Sequence, residues 1–149
     1  MKLRGLDDRV GNYLPAFESS VLATENERDG SGEFPTRPAS NPMLVRHLLM
    51  FASGVGPGRE KDSVLVDYWN DNGIYRQPGG DLSSRVAALG SLPLLEEPGT
   101  SWRYGFSADV LGAVLEKAPG QPLAESFQDR IFTPLGMDNT RLLPPPEQS

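Results

Sequence analysis

The chain contains 149 residues with a formal net charge of -6, no cysteine and a single histidine, His47. The acidic balance argues against a nucleic-acid binder that neutralises phosphates. The missing cysteines exclude disulfides, thiolate nucleophiles and zinc–thiolate sites, and one histidine excludes a multi-histidine metal site. No stretch reaches the roughly 20 apolar residues that span a bilayer. Residues 1–10 lack the apolar core of a secretory signal, which favours a cytoplasmic location without assigning one.

The apolar spacing predicts a mainly α fold with long loops and few short strands. Taken in chain order, the predicted helices cover residues 6–14, 42–51, 63–70, 82–92, 107–117 and 122–133. Pro15 is expected to end the first helix, and Pro42 to occupy the first position of the second. Asp81 is a suitable N-cap for the fourth helix. Strands and helices do not alternate as they do around a parallel sheet.

The length of residues 1–149 suits a single domain of ordinary size. Within it, a turn cluster at 29–32 and several prolines predict an irregular loop excursion over residues 18–41. A short hairpin between residues 20–22 and 33–34 is expected inside that excursion. Residues 144–149 begin with three prolines and are typical of a linker-like tail.

Three segments in series form a recognisable pattern: RHLL at 46–49 with SGV at 53–55, EPGTSWRYGFS at 97–107, and DVLG at 109–112 running on to IFTPLGM at 131–137. Together they resemble serine β-lactamases and penicillin-binding-protein-like hydrolases, above all the class C-like branch that includes family VIII carboxylesterases. Residues 2–15 also resemble the stretch that follows the nucleophile helix in that family. The resemblance extends over nearly the whole chain. It implies that residues 1–149 form a single partial domain, the central and mostly helical segment of the β-lactamase/transpeptidase-like α/β fold.

In that family the catalytic groups come from a Ser-x-x-Lys helix, a Tyr-x-Asn-like loop and a Lys-Thr-Gly-like strand. The resemblance therefore implies that Tyr104 is catalytic, with Trp102 and Phe106 as substrate-binding residues. Free tyrosine has a pKa near 10, so a tyrosine acts as a base only where nearby cations favour its phenolate. The resemblance implies neither a metal nor an organic cofactor.

The sequence departs from the family pattern at the other two motifs. Its lysines are Lys2, Lys61 and Lys117, and none completes Ser-x-x-Lys or Lys-Thr-Gly. Phe106 stands where the family has Asn, which favours esters over β-lactam amides as substrates. The expected function is thus that of a central fragment of a serine hydrolase acting on small ester or lactam substrates through an acyl-enzyme, inactive when isolated.

Two other functions remain open from the sequence. The chain could be a non-catalytic helical binding module that has lost its active site, or one chain of a split hydrolase whose partner carries the serine and lysine. Because apolar helix faces would be left without their neighbours, the isolated chain is expected to be marginally stable or to self-associate.

Several other residues have a functional and a structural interpretation. His47 is expected to be structural because no Gly-x-Ser-x-Gly motif accompanies it. Residues 53–58 lack the Gly-Lys-Ser/Thr of a phosphate loop, and the acidic residues near 67–81 (Asp67, Asp71, Asp81) lack calcium-loop spacing. Glu96 and Glu97 are interpreted as an exposed pair. The aromatic residues of this region line a cleft or anchor loops, with neither favoured: Tyr68, Trp69 and Tyr75.

Overall fold

A computed structural model of the chain describes residues 3–25, 28–56, 67–68, 71 and 82–142. Four α-helices and two short strands have both ends within these ranges. The helices are α1 (Val45–Leu49), α2 (Leu82–Gly90), α3 (Ser107–Lys117) and α4 (Leu123–Phe127), and the strands are β1 (Val21–Ala23) and β2 (Thr36–Pro38). Two 3-10 turns, Val10–Asn12 and Pro15–Phe17, precede β1, and a π-helical turn, Gln128–Phe132, continues α4. No helix in the described ranges has both the length and the apolar character needed to cross a membrane.

Helix α3 lies at the centre of the packing, with α1, α2 and α4 each in contact with it. Its side chains Val110, Ala113 and Val114 are completely buried. They belong to one hydrophobic core that joins α1, α2 and α3 to the 3-10 turns and β1, with large members Val10, Phe17, Leu22, Val45, Leu48, Val86, Leu89 and Leu94. Gly112 allows Leu82 of α2 to pack closely against α3, because a Cβ on Gly112 would lie only 3.2 Å from the Leu82 side chain.

The prediction of a helix over residues 6–14 is wrong. Arg9 instead bridges Leu44, and the amide of Val10 donates to the Met43 carbonyl at 2.9 Å. The Asp8 carboxylate also accepts bonds from the Arg4 amide and the Tyr13 hydroxyl. Long-range pairing thus occupies the backbone groups that an α-helix needs, and only 3-10 turns form. Pro15 begins the second of these turns, whereas it was expected to end the helix.

The remaining helices agree with the prediction in kind and differ mainly at their ends. The helix predicted over 42–51 is α1, which begins only at Val45 because Leu44 is extended and bridges Arg9. Pro42 therefore lies outside the helix. Helices α2 and α3 start where they were predicted to start, and α4 follows Pro122. The N-cap expected at Asp81 lies outside the described residues. So does most of the helix expected at 63–70, of which residues 67 and 68 are helical.

Strands β1 and β2 pair antiparallel, with Leu22 opposite Arg37. A hairpin was expected here, but its second strand lies at Thr36–Pro38, C-terminal to the predicted 33–34. The other edge of β1 receives Leu94, whose amide donates to Val21 while its carbonyl accepts from Ala23. Leu22 is thereby buried, and the chain is directed from Leu94 into the segment that carries the predicted site residues.

Several large apolar side chains remain exposed: Leu6, Leu49, Met50, Ile131, Leu135, Met137 and Leu142. Each large side chain left in water forfeits about 1.5–3 kcal/mol, against a total domain stability of about 5–15 kcal/mol. We expect the purified chain to unfold over a broad, low-temperature transition or to self-associate. Circular dichroism melts combined with sedimentation velocity measure both properties. A sharp, high-temperature melt of a monomer would contradict this expectation.

Candidate active site

The predicted site residues lie on residues 97–106, here called the tyrosine loop, which leads into α3. Tyr104 is 49% exposed and Trp102 is 71% exposed. Phe106 is half-buried and packs against the hydrophobic core. The structure therefore places the Tyr104 phenol and the Trp102 indole at the surface, while Phe106 holds the end of the loop on the core.

Backbone hydrogen bonds fix the tyrosine loop against residues 51–55. The amides of Gly99 and Arg103 donate to the carbonyls of Ala52 and Phe51 at 2.7 and 2.8 Å. Further along, the Phe106 amide donates to the Val55 carbonyl at 3.1 Å. Because the bonds lie on both sides of Tyr104, the backbone that carries the phenol is held in one position.

Two glycines make this contact close enough for hydrogen bonding. A Cβ on Gly105 would lie 2.3 Å from the Val55 carbonyl oxygen, and one on Gly54 would lie 2.2 Å from the Glu96 oxygen. Gly54 also has φ +77, in the left-handed region that glycine adopts readily. The SGV segment that the resemblance rests on is thus a close-packed support for the tyrosine loop.

The aromatic ring of Tyr104 stacks on the ring of Phe51. The ring centroids are 5.8 Å apart and the planes differ by 3°. Phe51 was predicted only as the last residue of the helix over 42–51, and no local pattern indicates its contact with a residue so distant in the chain. The stacking orients the phenol that the sequence singled out.

The interpretation of Glu96 and Glu97 as an exposed pair is wrong. Glu96 pairs with Arg103 at 2.7 Å, with both side chains partly buried. The Glu97 carboxylate accepts bonds from the amides of Ser40 and Asn41 and from the Arg37 guanidinium, the last at 2.6 Å. Burial alone would raise the pKa of Glu97, but these bonds outweigh it and hold the pKa below its ordinary value of 4.5. The two carboxylates therefore anchor the tyrosine loop.

The lowered pKa of Glu97 predicts a pH-dependent stability. A carboxyl with a depressed folded-state pKa stabilises the fold fully above its ordinary pKa and loses that contribution as the pH falls through the folded value. We expect Glu97→Gln to lower the melting temperature at neutral pH and to flatten its fall below pH 4.5. Melting temperatures of both proteins across the acid range measure this. Parallel acid profiles in the two proteins would contradict it.

A buried hydroxyl pair joins residues 51–55 to α3. Ser53 and Ser107 are 0% and 1% exposed, and their Oγ atoms lie 2.7 Å apart. Ser53 Oγ also accepts the Val55 amide at 3.2 Å. The pair thus connects the support of the tyrosine loop to the first turn of the helix that follows it.

Ser53→Ala should destabilise the chain by about 1–3 kcal/mol, since it leaves the Ser107 hydroxyl and the Val55 amide buried without this partner. Ser107→Ala should cost less, because the Val55 amide keeps its acceptor. Urea unfolding of both single variants and the double variant measures these effects. Strictly additive losses would show that the two hydroxyls do not interact.

His47 has a structural position. Its Nδ1 accepts the Leu44 amide at 3.3 Å at the start of α1. A Cβ on Gly99 would lie 2.8 Å from its Nε2, so the imidazole packs directly beneath the tyrosine loop. Burial, together with the neighbouring Arg46 charge, lowers the pKa of His47 and favours the neutral ring. The imidazole therefore serves as a capping and packing group.

Tyr68 anchors a loop. Its hydroxyl donates to Glu33 at 2.5 Å, and its ring makes an edge contact with Phe34 and lies under the Arg28 guanidinium. The bond to Glu33, together with burial, raises the pKa of Tyr68 to about 12. Trp69 and Tyr75 lie outside the described residues.

Acidic residues in the described ranges form no metal site. No group of three or more His, Asp or Glu side chains there is arranged to hold a metal ion. Asp71, considered for a calcium loop, pairs with Arg28 at 2.8 Å, and Asp81 lies outside the described residues.

A groove of about 780 Å³ opens between the C-terminal part of α3 and α4, lined by apolar side chains such as Leu115, Leu123 and Phe127. None of its lining residues belongs to the tyrosine loop. The groove is therefore separate from the exposed surface that carries Tyr104.

The known proteins that this chain resembles in sequence include two esterases. Esterase EstB of Burkholderia gladioli is 33% identical over 144 residues, covering 89% of this chain and 30% of the relative. A lovastatin esterase of Penicillium rubens is 32% identical, covering 95% of this chain and 34% of the relative. The chain thus spans about a third of the length of these relatives.

Solved structures of similar fold include enzymes of the same kind. EstCE1, a hydrolase with promiscuous acyltransferase activity, superposes with a TM-score of 0.65 at 31% identity, over 89% of this chain and 31% of that one. Simvastatin synthase (LovD) from Aspergillus terreus gives 0.65 at 27% identity, over 88% and 31%. The neighbours share the β-lactamase/transpeptidase-like fold, and the Beta-lactamase family profile matches residues 2–149. The chain therefore belongs to the β-lactamase family, among relatives that are esterases and acyltransferases.

Proposed function

We propose that the chain forms the central part of a serine-dependent acyl-transfer enzyme for small carboxylic esters, with Tyr104 as its proton-carrying phenol. The observation that carries the proposal is the half-exposed Tyr104 ring on a loop fixed by backbone bonds to Phe51, Ala52 and Val55. A surface phenol with a fixed backbone can meet a substrate from outside, whereas a packed core tyrosine cannot. The esterases among the relatives support an ester as the substrate class.

The chemistry follows from what the chain has and what it lacks. A serine contributed from outside these 149 residues attacks the ester carbonyl, and its hydroxyl proton passes to Tyr104. The proton then goes to the departing alcohol oxygen as the acyl C–O bond breaks. Water hydrolyses the acyl-serine in a second, matching step.

The cation that makes a phenol basic must accompany the serine in this account. An opposite charge within a few ångströms favours the charged form of a titrating group. No lysine of this sequence stands in a Ser-x-x-Lys motif, and Arg103, the neighbour of Tyr104, is paired with Glu96. The lysine of the missing motif would therefore complete the proton path.

The substrate contacts are assigned to two aromatic residues. Trp102 presents a large exposed ring near Tyr104 in the chain, suited to an apolar acyl or alcohol group. Phe106 stands where the family has Asn, so the position offers no side-chain amide. This favours an ester over a β-lactam amide as the substrate. We assign both to substrate binding.

A split enzyme is the second candidate. It rests on the absence of the serine and lysine motifs from these 149 residues, and it requires a separate chain that supplies them. A non-catalytic binding module would share the fold but would give no turnover with any complementing polypeptide.

The coding sequence on both sides of this chain distinguishes these candidates. We expect Ser-x-x-Lys and Lys- or His-x-Gly motifs either in frame or in a neighbouring gene. The purified chain and the chain combined with that polypeptide are then assayed with p-nitrophenyl butyrate and with nitrocefin. The combined protein should hydrolyse the butyrate, and the chain alone should not. No turnover by the combined protein would contradict the proposal.

A further inference from the structure

The C-terminal end of α1 is a Schellman motif with an unusual residue at its key position. The Phe51 amide donates to the Leu48 carbonyl at 3.2 Å, and the Ala52 amide donates to the His47 carbonyl at 2.7 Å. This pair of bonds requires a left-handed residue just beyond the helix cap, where glycine is the usual choice. Here the residue is Phe51, with φ +51.

Phe51 is unusual in this conformation. Among the described residues it is the one non-glycine residue with positive φ, and L side chains avoid that region. A large ring kept at a glycine position, against backbone preference, points to a contact made by the ring itself. Strained backbone conformations of this kind cluster at functional sites.

That contact is the parallel stacking on Tyr104. The left-handed turn aims the Phe51 ring at Tyr104, and the Phe51 carbonyl accepts the Arg103 amide at 2.8 Å. One residue thus holds both the backbone next to Tyr104 and the face of its ring. We propose that Phe51 is a positioning residue that sets the orientation of the Tyr104 phenol. Its kinetic consequence rests on the proposed function, while the stacking itself does not.

The stacking is tested by NMR of the purified chain carrying ¹³C-labelled tyrosine, with the Tyr104 signals assigned through Tyr104→Phe. Phe51→Gly keeps the left-handed turn and removes the ring, and Phe51→Leu removes only the aromatic character. In both variants we expect the Tyr104 ring signals to shift away from their wild-type positions, whereas Phe51→Tyr should preserve them. Melting of Phe51→Gly should be unchanged or higher, because glycine relieves the strain.

Phe34→Leu is the matched control, because the Phe34 ring contacts Tyr68 at 5.2 Å. It should shift the Tyr68 signals and leave those of Tyr104 in place. Wild-type Tyr104 signals at random-coil positions, or signals indifferent to Phe51→Gly, would overturn the proposal.

A kinetic measurement on the combined, ester-hydrolysing protein completes the test. Phe51→Gly should lower kcat by about 10- to 100-fold with KM unchanged, since a small misplacement of a reacting group has effects of this order. Phe51→Tyr, which keeps an aromatic ring, should retain the wild-type kcat. A kcat unaffected by Phe51→Gly in a protein that does depend on Tyr104 would overturn the positioning role. If activity does not depend on Tyr104, the proposed function fails, and the NMR result still decides the stacking.

Discussion

Tyr104→Phe should lower kcat for p-nitrophenyl butyrate by about 10²–10⁴-fold in the combined protein, the range that a positioned acid–base group contributes. The substitution removes the hydroxyl that carries the proton and keeps the ring that stacks on Phe51. Substrate binding and folding should therefore change little. Steady-state kinetics and a thermal melt of each protein measure the two effects separately.

Tyr68→Phe is the control for removal of a phenol. The Tyr68 hydroxyl bonds to Glu33 and the Tyr68 ring contacts Phe34. Removing the hydroxyl should therefore affect stability and leave kcat intact. Equal losses of activity in the two variants would show that the Tyr104 effect is structural. Full activity in Tyr104→Phe would remove Tyr104 from the proton path.

Gly54→Ala should destabilise the chain by about 2–5 kcal/mol. Of this, about 1–2 kcal/mol comes from a left-handed backbone and about 1–3 kcal/mol from displacing packed neighbours. The added Cβ would lie 2.2 Å from the Glu96 carbonyl oxygen, so backbone must move at the support of the tyrosine loop. Urea unfolding measures the loss in free energy.

Gly120→Ala is its matched control. Gly120 has φ +72, close to that of Gly54, but no atom lies within 4 Å of the added Cβ. It should therefore lose only the backbone contribution, about 1–2 kcal/mol. If Gly54→Ala costs no more than Gly120→Ala, the close approach of Gly54 to Glu96 has no energetic weight.

The sequence predicts the helices that depend on their own pattern. Helices α2 and α3 follow from apolar periodicity because their backbone groups bond within the helix. The segment at 6–14 has the same periodicity, yet its backbone pairs with residues 43–46, a contact that no local pattern reveals. The start of α1 is shifted for the same reason, through the bridge between Arg9 and Leu44.

The candidate site likewise has one part that the sequence predicts and another that it does not. The motif around Tyr104 is visible in the sequence, because residue type and spacing carry it. Its supports are not, because Phe51 and Glu97 find their partners through folding. Two adjacent glutamates look like a solvated pair until Arg37 and the amide of Ser40 are brought to Glu97 from far along the chain.

The residue that carries the acyl group tests the proposed mechanism most directly. Intact-mass and peptide mass spectrometry of the combined protein, quenched in acid during turnover of p-nitrophenyl butyrate, locate the butyryl group directly. We expect it on the serine of a Ser-x-x-Lys motif outside these 149 residues, formed more slowly in Tyr104→Phe. A butyryl group on a serine of this chain, such as Ser53 or Ser107, or a rate of acylation indifferent to Tyr104, would contradict the account.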